Sequence, residues 1–506
     1  MSDQPHAGSG GAAERARRFA TWLRGESAEI AVAASVLVFA LVVRLSTLEG
    51  IEIGGDAVIK WHFARQWFHH FDLHDVQWDH HRSRLGVIVP VVLIQALFGH
   101  GAAVYHVAAL LCSTTLVCVV YAAGRLAHGR TVGVLSAVWF ALFPSWVRTG
   151  SQVTPDGFGA LYVGVALCLL LAYARSERHK QAFLLASAAF SGFAYLAKEP
   201  LVFFAPGALA ATYLLGRRVR DVLVYAGVLL ALLGVETLFY RAVSDFSSRL
   251  AIVSRSHGDG PGAALKGFGE LFERYAHLPD FWYVLLIPAA LGAIGLPLLT
   301  RDRRLHALIC FPVSFFFCYT FAIRRLDPLS MWTRFLARYL DPGAPFAMLV
   351  ATSFVVVGTT VLARRFVPAA GALAARALRF EPVALTALLL VLALTRVGRA
   401  AKDGSFAETR NLERNLSTAY ERGVPVLATG RSGYKALRAA YMVYIDDELL
   451  LDSSGKLPWF STEVRFSGRL VRPGAPARAE DCKVEVSLAN RWLKLNRREL
   501  GRGDCR

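Results

Sequence analysis

Residues 217–240 read RRVRDVLVYAGVLLALLGVETLFY. A cluster of arginines leads into a run, Val219 to Tyr240, made almost entirely of apolar and small side chains. At about 1.5 Å of rise per residue, a helix over such a run matches the roughly 30 Å hydrocarbon core of a bilayer. Similar runs recur at 29–47, 103–123, 131–147, 157–174, 181–197, 200–215, 281–300, 305–323, 343–363 and 381–397. Tight turns join several of them, which makes those pairs antiparallel hairpins. The expected fold is an α-helical polytopic membrane protein with about 11 transmembrane helices, juxtamembrane helices in the first outer loop, and a small C-terminal α/β domain. Composition agrees. Of 506 residues, 55% are hydrophobic and 19% charged, against about 45–50% apolar in a soluble chain.

The net charge of +18 does not point to nucleic acid. The excess sits beside apolar runs, as in Arg217-Arg218-Val219-Arg220 and Arg301-Asp302-Arg303-Arg304, which is how cytoplasmic flanks look. No basic patch is interleaved with stacking aromatics. Residues 1–28 read as a cytoplasmic tail held inside by Arg15, Arg17, Arg18 and Arg24. The first run reads as a signal anchor, because Arg44 stands where a cleavage site needs small residues.

Two further runs, Leu85–Phe98 and Phe366–Leu378, are short for a span and are read as non-spanning. Arg125/Arg130, Arg175/Arg178/Lys180, Arg217–Arg220, Arg301–Arg304 and Arg364/Arg365 then all fall on the cytoplasmic side. Arg324, Arg325, Arg334 and Arg338 fall outside. Basic residues on the wrong side point to a task, such as holding an anion. The outer face carries loops 48–102, 241–280 and 324–342, and the tail. Residues 29–397 are thus expected as the membrane domain and 398–506 as an extracytoplasmic one. That tail is patterned as an amphipathic helix over Phe406–Arg422 with short strands at Val424–Ala428 and Met442–Ile445. Cys482 and Cys505, alone there, are a disulfide candidate. The other five cysteines lie in spans as small packing residues.

The first outer loop holds Gly54-Gly55-Asp56-Ala57, an aromatic stretch Trp61–Phe71, then Asp79-His80-His81-Arg82-Ser83-Arg84 and an apolar run ending Leu97-Phe98-Gly99. Asp56 after two glycines suits a helix N-cap, which does not exclude a part in catalysis. Asp156, in Val153-Thr154-Pro155-Asp156-Gly157, suits either an N-cap behind Pro155 or a site carboxylate. Lys198 reads as a turn residue paired with Glu199. Arg338 reads as a snorkelling side chain or as one of the outer cations that hold an anion. His80 and His81 suit a phosphate contact or, together with Asp79, metal ligation. A divalent ion shared by Asp56, Asp156 and His80 is a further alternative, although no tetrahedral set with other ligands can be placed. Trp61, Trp67, Phe68 and Phe71 read as an interfacial belt or a lipid entrance.

In order and sidedness these features resemble the GT-C superfamily, in particular the branch of protein O-mannosyltransferases and aminoarabinose transferases that use polyprenyl-phosphate sugars. An Asp follows the first span. The apolar stretch with Leu97-Phe98-Gly99 comes next, then Asp156. Gly192-Phe193-Ala194-Tyr195-Leu196-Ala197-Lys198 precedes a proline. Arg338-Tyr339-Leu340 leads to Pro342 and Pro345, and a soluble domain closes the chain. The resemblance implies an inverting displacement on a lipid-linked sugar at the outer face of a bacterial inner membrane. It implies Asp56 as general base, Asp156 as orienting group, and Arg338 and Lys198, with Arg82 and Arg84 in reserve, as cations for the leaving phosphate. His80, His81 and Tyr339 would meet sugar or acceptor, which is a lipid, a glycan or a protein. The chain departs from the protein-mannosylating pattern. Ala57 stands where that branch has Glu, and Asp79-His80-His81-Arg82 where it has His-Pro-Pro. The competing readings are a lipid-linked glycan ligase or polymerase, which needs a larger late outer loop, and a transporter, which needs mid-membrane ionisable groups and broken helices.

Overall fold

The computed structural model describes residues 29–52, 56–69, 73–74, 78–257, 269–321, 323–326, 329–331 and 337–366, together with short strands at 426–428, 469–470, 484–489 and 492–495. Its helices in chain order are α1 (Glu29–Ser46), α2 (Asp56–His69), α3 (Leu85–Phe98), α4 (Ala102–Ala127), α5 (Arg130–Ala141), α6 (Pro144–Thr149), α7 (Pro155–Tyr173) and α8 (Lys180–Ala197). A 3-10 segment, Glu199–Phe204, leads into α9 (Ala205–Gly216). Then come α10 (Val219–Val243), α11 (Arg249–His257), α12 (Gly269–Ala276), α13 (Asp280–Leu299), α14 (Arg303–Phe321) and α15 (Ala344–Phe366). Between α14 and α15 lie an antiparallel hairpin, β1 (Ile323–Leu326) with β2 (Leu329–Met331), and two 3-10 turns, Ala337–Tyr339 and Asp341–Gly343.

Eight helical stretches among the described residues are long and apolar enough to cross a membrane. They match eight of the expected spans. The expected spans 131–147 and 181–197 differ. Run 131–147 breaks after Leu142, because Pro144 disfavours helical backbone at Phe143, which is extended at φ −67°, ψ 123°. The chain restarts as α6. Run 181–197 forms α8, whose start at Lys180 and Gln181 is polar. Leu85–Phe98 is a 14-residue helix, short for a span as expected. Phe366–Leu378 beyond its first residue, run 381–397, Phe406–Arg422, Met442–Ile445, Cys482 and Cys505 lie outside the described residues. In the C-terminal part, β3 (Val426–Ala428), β4 (Arg469–Leu470), β5 (Val484–Ala489) and β6 (Trp492–Leu495) form one sheet in the order β4-β3-β5-β6. Only the β3–β5 pair is parallel.

The core lies where α4, α7, α8 and α15 meet. Leu116, Leu167, Leu170, Ala188, Phe346 and Leu349 are all buried there. Phe204 stacks on Phe315 at 4.5 Å and meets Phe346 edge-on at 5.2 Å, which ties the 3-10 segment to α14 and α15. The lipid-facing sides of α1, α10 and α13 stay apolar: Val38, Leu230 and Ile294 are exposed, as a membrane solvent allows.

One close approach matters for the site. A Cβ on Gly86 would stand 2.4 Å from the backbone nitrogen of Ala197 and 2.7 Å from the carbonyl carbon of Leu196. The start of α3 therefore lies directly on the end of α8, with Arg84 beside the segment that carries Lys198 and Glu199.

Candidate active site

The helix ends build the site. Thr154 is the N-cap of α7, with its hydroxyl accepting from the Gly157 amide at 3.2 Å and Pro155 at the first position. The alternative that Asp156 is the cap is thereby excluded. With the cap filled, the Asp156 carboxylate accepts from Lys198 Nζ at 2.6 Å. Lys198 ends α8 in an extended conformation and is buried. Its ammonium lies 4.1 Å from the centre of the Tyr339 ring, over which Arg338 also sits at 5.2 Å. Lys198 is thus paired with Asp156 rather than with its neighbour Glu199.

Asp56 stands in the first turn of α2, with its side chain half exposed. One turn on, Lys60 is fully buried. Its Nζ donates to the Asp56 carbonyl at 2.9 Å and lies 3.4 Å from His81 Nδ1. His81 Nε2 is 3.9 Å from Asp56 Oδ1. The charges act on one another. Burial pushes Asp56 up, but Lys60, Arg84, Arg338 and His80 outweigh it and hold the carboxyl below its usual range. Burial, with Arg84 adding to it, drives Lys60 down to about 7, against the opposing pull of Asp56. Asp56 and Asp156 both act on Arg338. The two carboxylates and the late arginine therefore share one locus at one end of the bundle.

Asp79 Oδ1 accepts from the backbone amides of His81 at 2.7 Å and Arg82 at 2.9 Å, which fixes the turn that presents this stretch. The His80 and His81 rings lie 3.8 Å apart, tilted by 42°. Arg82 is buried, 3.8 Å from Asp79 Oδ2 and over the Phe63 ring at 5.5 Å. Arg84 is buried too, with Nη2 donating to Glu199 Oε2 at 3.3 Å. Its Nε has no hydrogen-bond partner among the described residues. The belt reading fails for Trp61. That ring is buried against Tyr105 at 5.3 Å and donates to the His100 carbonyl at 2.9 Å. Trp67 packs edge-on to Trp78. Among the described residues no three His, Cys, Asp or Glu side chains converge as a cation cage.

Several participants escape a reading of the sequence. Lys60 lies in what reads as an amphipathic surface helix. Asp341, in the 3-10 turn before α15, accepts from Ser145 Oγ at 2.6 Å, while its carbonyl takes the Trp146 indole N–H at 3.0 Å. That contact exists because Pro144 starts α6. Arg249 joins Glu199 and Glu236, which lie far apart in the chain.

The fold of this helical bundle is shared with a protein of known structure, and part of its sequence matches a known family. Residues 91–240 match the model of the family described as dolichyl-phosphate-mannose-protein mannosyltransferase. The chain is similar to the crystal structure of ArnT from Cupriavidus metallidurans bound to undecaprenyl phosphate. Identity is 15% and the TM-score 0.52, over 83% of this chain and 85% of that one. The apo state of the same protein gives 15% identity and a TM-score of 0.51, over 81% and 85%. The Archaeoglobus fulgidus oligosaccharyltransferase in its apo form gives 15% identity and a TM-score of 0.47, over 81% of this chain and 60% of that one. No curated protein matches the chain by sequence.

Proposed function

We propose that this protein is a multi-pass membrane glycosyltransferase. It moves a sugar from a polyprenyl-phosphate donor to an acceptor at the outer face of a bacterial inner membrane. The observation that carries this is the excess of cations in the site. Lys60, Arg84 and Arg338 act on Asp56, Lys198 pairs with Asp156, and the buried Arg84 keeps an unfilled N–H. A phosphate fits that deficit, because guanidinium and ammonium donors stabilise it by charge-assisted hydrogen bonds. The likeness to a structure holding undecaprenyl phosphate supports the same donor class.

The step is a single displacement. An acceptor hydroxyl or amine attacks the anomeric carbon as the bond from that carbon to the phosphate oxygen breaks. The lipid phosphate leaves with the electron pair, so its charge grows by one, and configuration inverts. The proton lost by the acceptor goes to Asp56, which its cationic neighbours hold ionised and ready. Asp156, fixed by Lys198, orients sugar or acceptor. Arg338, Lys198 and Arg84 stabilise the leaving charge, and His80, His81 and Tyr339 line the approach. Residues 1–28 are the cytoplasmic tail, 29–397 the catalytic membrane domain and 398–506 an extracytoplasmic domain.

Asp56→Asn, purified and shown to unfold at the wild-type temperature, is expected to lose about 10²–10⁴-fold in transfer rate. Retained transfer removes Asp56 as base. A phosphatase reporter fused after residue 450 is expected to be active outside the cytoplasm, and a cytoplasmic signal reverses the sidedness.

A further inference from the structure

The second outer segment reaches Glu199 through the side chain of Arg249. Arg249 opens α11 and is 0% exposed. Its Nη1 donates to the Tyr195 carbonyl at 2.7 Å and to Glu236 Oε1 at 3.2 Å, and its Nη2 to Glu199 Oε1 at 2.8 Å. The guanidinium also lies over the Tyr195 ring at 5.0 Å. Glu199 thus has two claimants. Arg249 holds one oxygen closely, and Arg84 meets the other at a looser 3.3 Å. Arg84 is 7% exposed, its Nε is unpartnered among the described residues, and its charge acts on both Asp56 and Lys60. A buried N–H left unfilled is costly, and an anion arriving at Asp56 and Lys60 would fill it.

The geometry points to Arg249 as a positioning residue that occupies Glu199 and thereby leaves Arg84 able to bind the donor phosphate. The inference rests on the donor proposed above. One carboxylate shared between two guanidiniums cannot close as a two-bond fork on either. Without Arg249, Glu199 closes on Arg84 and neutralises it before phosphate arrives. The start of α11 would then set donor affinity from a distance.

The test measures the affinity of the full-length chain in detergent for undecaprenyl phosphate by calorimetry, with thermal unfolding followed in parallel. Arg249→Met is expected to weaken binding about tenfold, the worth of one charge-assisted hydrogen bond. Arg249→Met with Glu199→Gln is expected to return to within about threefold of wild type, because the carboxylate that captures Arg84 is gone. A merely structural Arg249 predicts the opposite order, since the second change removes a further buried group. Where Arg249→Met does not fold, Arg249→Lys with and without Glu199→Gln gives the same comparison at smaller amplitude. A folded double variant that binds no better than its single parent overturns the coupling, as does wild-type affinity in the single variant. Wild-type protein that binds no undecaprenyl phosphate at all sinks the donor reading, and this inference with it.

Discussion

At one end of the bundle, Glu29 of α1 meets Arg125 of α4 at 2.7 Å and also pairs with Arg130 of α5, with these arginines 41% and 48% exposed. At the other end, Arg249 is 0% exposed, and its partners Glu199 and Glu236 are 7% and 4% exposed. The two clusters use the same chemistry under different solvation. An exposed pair is screened and contributes about 0–1 kcal/mol. Buried charges are tolerated only when each has its partners, and removing one partner costs about 3–5 kcal/mol. The exposed cluster clamps helices loosely, whereas the buried one fixes positions.

The contrast can be broken by experiment. Its largest test is Arg338→Ala. Losing a cation that acts on both Asp56 and Asp156 is expected to weaken undecaprenyl-phosphate binding about 10–100-fold, the range for hydrogen bonds to charged groups. Acceptor affinity should change little. Equal losses for donor and acceptor in steady-state kinetics would show that Arg338 shapes the pocket generally.

A smaller effect is expected at Lys60. Its folded pKa of about 7 lies below the free value of 10.5, so above pH 7 the empty site holds it neutral. An anion favours the ammonium, so below pH 7 binding needs no proton uptake. Above pH 7 each binding event takes up a proton, and affinity falls by up to about tenfold per pH unit. Lys60→Met should flatten that slope in calorimetric titrations between pH 6 and 9. An unchanged slope would mean that Lys60 does not face the anion.

The smallest effect belongs to the opposite end. Glu29→Gln should change transfer by less than about twofold and stability by under about 1 kcal/mol. A tenfold loss of activity would show that the two ends are coupled.

Much of the bundle is legible in the sequence, because crossing a bilayer demands length and apolarity and little else. Runs such as 219–240 declare themselves. The break at Pro144 is written in the sequence as well, yet hydropathy hides it, since apolar residues continue through Leu142, Phe143 and Trp146. Asp56, Asp156, Lys198, Arg338, Arg84 and His81 stand out by type and position, and the fold brings them to one end. Their partners do not stand out. Lys60 looks like the polar face of a surface helix, because nothing local says that α3 and the turn around Asp79 will cover it. Glu236 looks like a residue near a span end until Arg249, thirteen positions on, is folded back onto it. Pairings across loops depend on which helix ends meet, and the meeting of α3 with α8 turns on the bare backbone of Gly86.

The hydroxyl of Thr154 gives position 154 leverage out of proportion to its distance from any charge transfer. Because it tends the open end of α7, the neighbouring carboxylate is spared that duty and can face the ammonium of Lys198. Serine there would keep the division of labour. Alanine would invite Asp156 to bend back and serve its own helix, leaving Lys198 to find another anion, so an uncharged substitution could disarm the centre without deleting any of its ionic groups.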